Sequence, residues 1–211
     1  IMDENNRYTL DLADMEAHLA DGSAKLVMFC SPHNPCGRAW SRAELESVVA
    51  LCRKYNVPLV CDEIHADFVY APNKHHSIMT IDGAEENAVM LCAASKTFNV
   101  AGLQQSAIVC KNEAMRERIH AEMEGAGVRS GNAFALAATR AAYTSCDDWL
   151  DGLIAYLKDN RDFAAQYIAE NMPKVKVTPL EATYLMWLDC RAFGMEQGEL
   201  LESIAKQHVK V

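Results

Sequence analysis

Four short apolar runs, at residues 25–30, 58–61, 88–93 and 106–110, are separated by amphipathic or polar stretches, and this alternation constrains the chain most. Runs of this length, rich in β-branched and other apolar residues, read as buried strands. The stretch between the first two reads as a helix. Ser41-Arg42-Ala43-Glu44 has the form of a capping box, and Leu45, Val48, Val49 and Cys52 then recur at helical spacing. Near-continuous apolar strands joined through helices imply a mostly parallel sheet covered on both faces, so the expected fold is α/β with three α/β/α layers. In such sheets ligands bind beyond the carboxyl ends of the strands.

From residue 112 to about 171 the pattern turns helical, with Trp149, Leu150, Leu153, Ile154 and Leu157 on one face. Pro173 interrupts it, and residues 174–177 and 183–188 then read as strands of a second unit. A domain boundary is expected within 150–160, which gives a large domain over 1–155 and a linker helix with the start of a smaller α+β domain over 156–211. The pair Gly125 and Gly127 resembles part of a nucleotide loop. It lacks a third glycine and follows no strand, so it is not read as a phosphate site.

The excess of 29 acidic over 20 basic side chains, a formal charge of −9, repels nucleic-acid phosphates and anionic lipid. No apolar run reaches the roughly 18 residues a membrane span needs. Residues 1–5 show no basic segment leading into an apolar one. The expectation is a soluble, cytoplasmic protein without nucleic-acid or membrane partners. Eight scattered cysteines, without the close pairing of zinc sites, suit free thiols in a reducing compartment.

Three polar segments follow apolar runs: Ser31-Pro32-His33-Asn34-Pro35-Cys36-Gly37, Cys61-Asp62-Glu63-Ile64-His65 and Ala94-Ser95-Lys96-Thr97-Phe98-Asn99. Singly, each has a plain explanation as a turn, a solvated strand end or a surface lysine. Together and in this order they resemble the large domain of fold-type I pyridoxal-phosphate (PLP) enzymes, the aminotransferase class I/II superfamily, over residues 25–188. Asp62-Glu63-Ile64-His65 with Ser95-Lys96 and Phe98-Asn99 is most similar to the cystathionine β-lyase-like carbon-sulfur lyases.

That resemblance implies PLP as cofactor and assigns roles. Lys96 would form the imine with the cofactor and act as general acid/base at the substrate's α-carbon. Asp62 would pair with the pyridine nitrogen, Asn34 would hydrogen-bond the phenolic O3′, and Ser95 would contact the phosphate. His65 stands where aminotransferases commonly carry a tyrosine directed at O3′. Gln104 replaces a frequent phosphate-clamping arginine, and Ala93 replaces a frequent phosphate-binding serine. The changes at His65 and Gln104 also occur in the lyase subgroup. The implied reaction is therefore β-elimination from cystathionine or cysteine to pyruvate, ammonia and a thiol, with aminotransfer as the alternative on the same residues.

By comparison with the family, an upstream glycine-containing phosphate loop, a ring-stacking aromatic and a downstream arginine for the substrate carboxylate are missing, so the chain is expected to be a piece of a longer enzyme. A homodimer with an amino-acid substrate is implied, and residues 129–132 are candidates for approaching a neighbour's site. Trp40, Tyr70 and Trp187 are expected to pack, with Tyr70 also close enough to Asp62 to line an entrance. Two other readings stand beside this one: a metal-dependent hydrolase using Asp62, Glu63, His65 and Asp67, and a noncatalytic truncated α/β domain. In the first, alternate strand residues point to opposite faces, so the four could converge only through a turn after Ile64. His75-His76 could add ligands there but reads as an exposed pair in a polar loop.

Overall fold

The computed structural model describes residues 1–128 and 131–209. Helix α1 (Leu12–Ala20) precedes strand β1 (Val27–Cys30), and helix α2 (Arg42–Lys54) connects it to β2 (Leu59–Asp62). A short helix α3 (Ala84–Asn87) leads into β3 (Ala88–Cys92), followed by β4 (Ala107–Cys110). The sheet order is β1-β2-β3-β4. The first three strands are parallel and β4 is antiparallel, so the expected strands and mostly parallel sheet are present.

The capping box at α2 forms as the sequence implies: the Ser41 side chain accepts from Glu44 N, and the Glu44 side chain accepts from Ser41 N. This satisfies amides that the first turn of a helix otherwise leaves unpaired. The helix then lays Leu45, Val48, Val49 and Cys52, each at most 1% exposed, on the sheet face built by Leu59, Cys61 and Ala88. Burying each such aliphatic side chain contributes about 1.5–3 kcal/mol.

The opposite face behaves differently. Register places Met28, Cys30, Val60, Asp62, Leu91 and Ile108 on that side, where Met28 is 79% and Ile108 40% exposed. Of the layers expected around the sheet, the one formed by α1 and α2 is seated, and the other face is exposed at Met28 and Ile108, half-covered at the other four positions and buried at Val89 and Cys110. Asp62 therefore ends β2 on the open side.

The helical region is three helices, α4 (Glu113–Gly125), α5 (Ala133–Ser145) and α6 (Asp147–Asn171). Residues 155 and 156 lie within α6. Strands β5 (Lys176–Val177) and β6 (Leu188–Asp189) form a separate antiparallel pair, and α7 (Gln197–Lys206) follows. The second of these strands is shorter than expected. Residues 183–187 are drawn out of strand geometry because Thr183 N donates to Phe68 O and its backbone adopts φ +69°. Among the described residues no helix is long and apolar enough to cross a membrane. All eight cysteines are free, as expected.

Candidate functional site

The three polar segments lie at the carboxyl ends of β1, β2 and β3, and hydrogen bonds between strand ends set their spacing. Ser31 N donates to Asp62 O at 2.9 Å, and Glu63 N donates to Leu91 O at 2.9 Å. Asn34 is exposed at the tip of a turn closed by His33 N to Arg38 O and Gly37 N to His33 O, both 2.8 Å. The turn is also held from the far end of the chain, where Glu181 N and Ala182 N both donate to Gly37 O at 2.9 Å. Gly37 has φ +70°, and a Cβ there would collide with Leu180 Cδ1, so this approach requires glycine.

Beneath that turn, Arg38 is wholly buried between the carboxylates of Glu44 and Glu181, with its guanidinium 4.5 Å from the Trp40 ring centroid. Arg7 reaches the other oxygen of Glu181 at 2.6 Å. Sequence reasoning missed this cluster because its members are spread over 174 positions.

At the end of β2, the Asp62 carboxylate accepts from Ile64 N through Oδ1 at 3.1 Å, and the rest of the group carries no hydrogen bond among the described residues. Turns closed by Ala66 N to Glu63 O and Phe68 N to His65 O follow. Glu63 turns away into the interior and accepts from Ile78 N at 2.6 Å and pairs with His75 Nε2 at 2.9 Å. His75 is thus half-buried rather than free in its loop. Among the described residues no three His, Cys, Asp or Glu side chains gather as a metal set.

His65 is 2% exposed, and neither ring nitrogen has a hydrogen-bond partner. Its ring lies 5.4 Å from Tyr184, edge-on, and 6.3 Å from Phe68. Burial lowers its pKa; Lys96 lowers it further and Asp62 raises it. Lys96 and Asp62 thus both act on the His65 ring. A fully buried imidazole without partners is rare, because each unsatisfied polar atom costs about 1–3 kcal/mol.

Lys96 is exposed on a turn at residues 94–99, shaped by Phe98 N to Ala94 O and Val100 N to Ser95 O. Ser95 is half-buried beside it. Thr97 is buried and donates to Asp67 at 2.7 Å. Phe98 meets Tyr143 of α5 edge-on and stacks on Trp149 of α6. The departures Ala93 and Gln104 are half-buried and exposed, respectively.

Tyr70 does not line an entrance. It is 1% exposed, donates its hydroxyl to Thr183 O at 2.7 Å, and carries the Arg161 guanidinium over its ring. Trp40 is buried, while Trp187 is half open and donates to Tyr8 Oη. Within 129–132, Arg129 and Ser130 lie outside the described residues. Asn132 caps α5 and donates to Leu103 O.

The aminotransferase class I and II family model matches residues 2–211. The chain is 38% identical over 208 residues to cystathionine β-lyase PatB of Bacillus subtilis, covering 98% of this chain and 54% of that protein. It is 33% identical to protein MalY of Escherichia coli, covering 93% and 50%. The crystal structure of cystalysin from Treponema denticola, which contains a pyridoxal 5′-phosphate cofactor, superposes with a TM-score of 0.93 at 32% identity, over 97% of this chain and 52% of that one. The chain spans about half the length of these relatives. With the strand order, the strand-end segments and the match over nearly the whole sequence, the chain belongs to the aminotransferase class I and II family.

Proposed function

We propose that this chain carries the cofactor-facing strand ends of a PLP-dependent carbon-sulfur β-lyase, which releases pyruvate, ammonia and a thiol from cystathionine- or cysteine-type amino acids. The observation that carries the reading is the placement of Asp62 and Lys96 at the ends of the paired strands β2 and β3, with His65, buried and unpaired, in the loop after β2. These residues fit the cofactor. A pyridine ring offers a nitrogen for the open carboxylate of Asp62, and a phenolic oxygen suits the orphan imidazole nitrogens of His65 and the exposed amide of Asn34.

When bound, PLP supplies an electron sink for the charge left at the substrate's α-carbon. Asp62 would hold a proton on the ring nitrogen, since an anion beside a cationic ring favours its protonated form. Neutral His65 and Asn34 would orient the ring through O3′, and Ser95 would contact the phosphate. Lys96 Nζ would hold the cofactor covalently between turnovers and move the α-proton during them. The similarity to cystathionine β-lyase PatB supports the lyase assignment. Aminotransfer uses the same residues and is favoured by the description of the family model.

The proposal extends to a cytoplasmic homodimer. The exposed apolar side chains of Phe134 and Leu136 on α5 offer a surface for a second subunit. It also divides the chain near residue 155, supported by the separate β5-β6 pair.

The test is near-violet absorption after incubation with PLP, before and after borohydride, beside Lys96→Ala. A band that borohydride removes, leaving cofactor fixed to the wild type but not to the variant, is expected. Lys96→Ala should also lower β-elimination in the longer protein by at least about 10²-fold. No band in this chain or in a longer one would overturn the PLP reading.

A further inference from the structure

Asp67 has no place among the residues assigned above, yet its carboxylate joins two of the strand-end loops. Its Oδ2 accepts from Thr97 Oγ1 at 2.7 Å across 30 positions of sequence. Thr97 adjoins Lys96 and is 1% exposed, and a hydroxyl so buried needs an acceptor. The two backbone bonds of the Lys96 turn, Phe98 N to Ala94 O and Val100 N to Ser95 O, are internal to it. They shape the turn without orienting it towards β2.

Orientation comes from outside. On one side Phe98 is gripped by Tyr143 and Trp149, with ring centroids 5.6 and 5.8 Å away. These apolar contacts tolerate sliding. On the other side the directional Thr97–Asp67 bond fixes the turn against the segment that carries Asp62 and His65. Asp67 is itself set by the turns that Glu63 O and His65 O close. No cation lies within salt-bridge distance of it among the described residues, so no ion pair accounts for its place. Burial, with Asp67 adding to it, holds the Tyr143 phenol up to about 12, so Tyr143 stays neutral where it packs.

We infer that Asp67 is a positioning residue for Lys96: through Thr97 Oγ1 it sets where the lysine emerges relative to Asp62 and His65. The inference rests on the PLP reading above. Asp67 touches no reacting atom and acts only through the Thr97 peptide. Misplacing a proton-transferring group by about 1 Å can cost roughly 10²-fold in rate, so the link has kinetic consequences out of proportion to one hydrogen bond.

The experiment uses the longer protein that contains this chain, with L-cystathionine as substrate. Thr97→Val keeps the shape and removes the hydroxyl, and Asp67→Ala removes the acceptor. Both are expected to lower kcat by roughly 10- to 100-fold with KM little changed, and to shift the pH midpoint of the borohydride-sensitive absorption band. Thr97→Ser keeps the donor and Asp67→Asn keeps an acceptor oxygen, so both should return kcat and midpoint to near wild type. Thermal unfolding of the cofactor-free variants separates positioning from loss of fold. If either truncation fails to fold, Asp67→Asn and Thr97→Ser still decide: near-wild-type values support the link, and a loss in both overturns it. Folded Thr97→Val with unchanged kcat and midpoint also overturns it. A wild type without any borohydride-sensitive band would instead remove the PLP reading, and this inference with it.

Discussion

At residue scale the most informative side chain is His65, whose ring is sealed between Phe68 and Tyr184 with both nitrogens unpaired. Its pKa lies below the ordinary 6.5, first from burial and then from Lys96. His33 is lowered likewise by burial and by Arg38. Its Nδ1 lies 3.0 Å from Cys36 Sγ, whose thiol burial pushes up and so keeps as a donor. Both imidazoles are lowered in the fold, so the unfolded chain binds more protons once pH falls to their unfolded value. Stability is then full above about 6.5 and lost as pH falls through that value towards the folded pKa values. Thermal midpoints measured from pH 8 to pH 5.5 should fall, and fall less in His65→Gln, which cannot take up a proton. An equal fall in both proteins would remove His65 as a source.

At the scale of elements, the turn after β1 depends on a segment almost 150 residues further along the chain. Glu181 accepts from Arg38, Arg7 and Ala39 N, while its own amide and that of Ala182 hold Gly37 O. Arg38 is wholly buried, and breaking a buried ion pair costs about 3–5 kcal/mol when it strands the charge; here Glu44 remains as a partner, which sets the cost at the lower end. Glu181→Ala should therefore lower the unfolding free energy by about 3 kcal/mol in denaturant titration. It should also loosen the turn that presents Asn34, read as weaker cofactor retention. Glu46→Ala removes a carboxylate from the exposed Arg42 pair and should change stability by less than about 0.5 kcal/mol. A Glu181 effect no larger than this control would show that the cluster is not a junction.

Across the whole molecule, apolar surface is unevenly distributed. The α1/α2 side is packed into a core against Leu59, Cys61 and Ala88, whereas Met28 and Ile108 on the other face, and Phe134 on α5, are substantially exposed. Patches of this kind mark surfaces that associate. With these side chains exposed, this 211-residue chain alone is expected to bind an apolar dye and self-associate in light scattering. Met28→Lys should reduce both. A dye-silent, monomeric chain would show that this face is not a contact surface.

The sequence by itself determined the four strands of the main sheet, the α2 helix and the placing of Asp62 at the end of a strand and of Asn34, Ser95 and Lys96 after strands. Each of these rests on local rules: side-chain periodicity, a capping box within four residues, and polar groups following an apolar run. The resemblance of the three segments, taken in order, was likewise readable without coordinates. What only the tertiary structure decided are pairings between distant residues. Tyr70 is expected to pack, with an entrance also within its reach, and the choice is made by its hydroxyl bond to the Thr183 carbonyl and the Arg161 cation above its ring. Glu63 reads like its neighbour Asp62, yet pleating turns it inward to His75 and Ile78 N while Asp62 faces the open side. The Thr97–Asp67 and Arg38–Glu181 bonds have no local signal, because hydrogen-bond partners chosen by folding over 30 and 143 positions leave no periodicity to read.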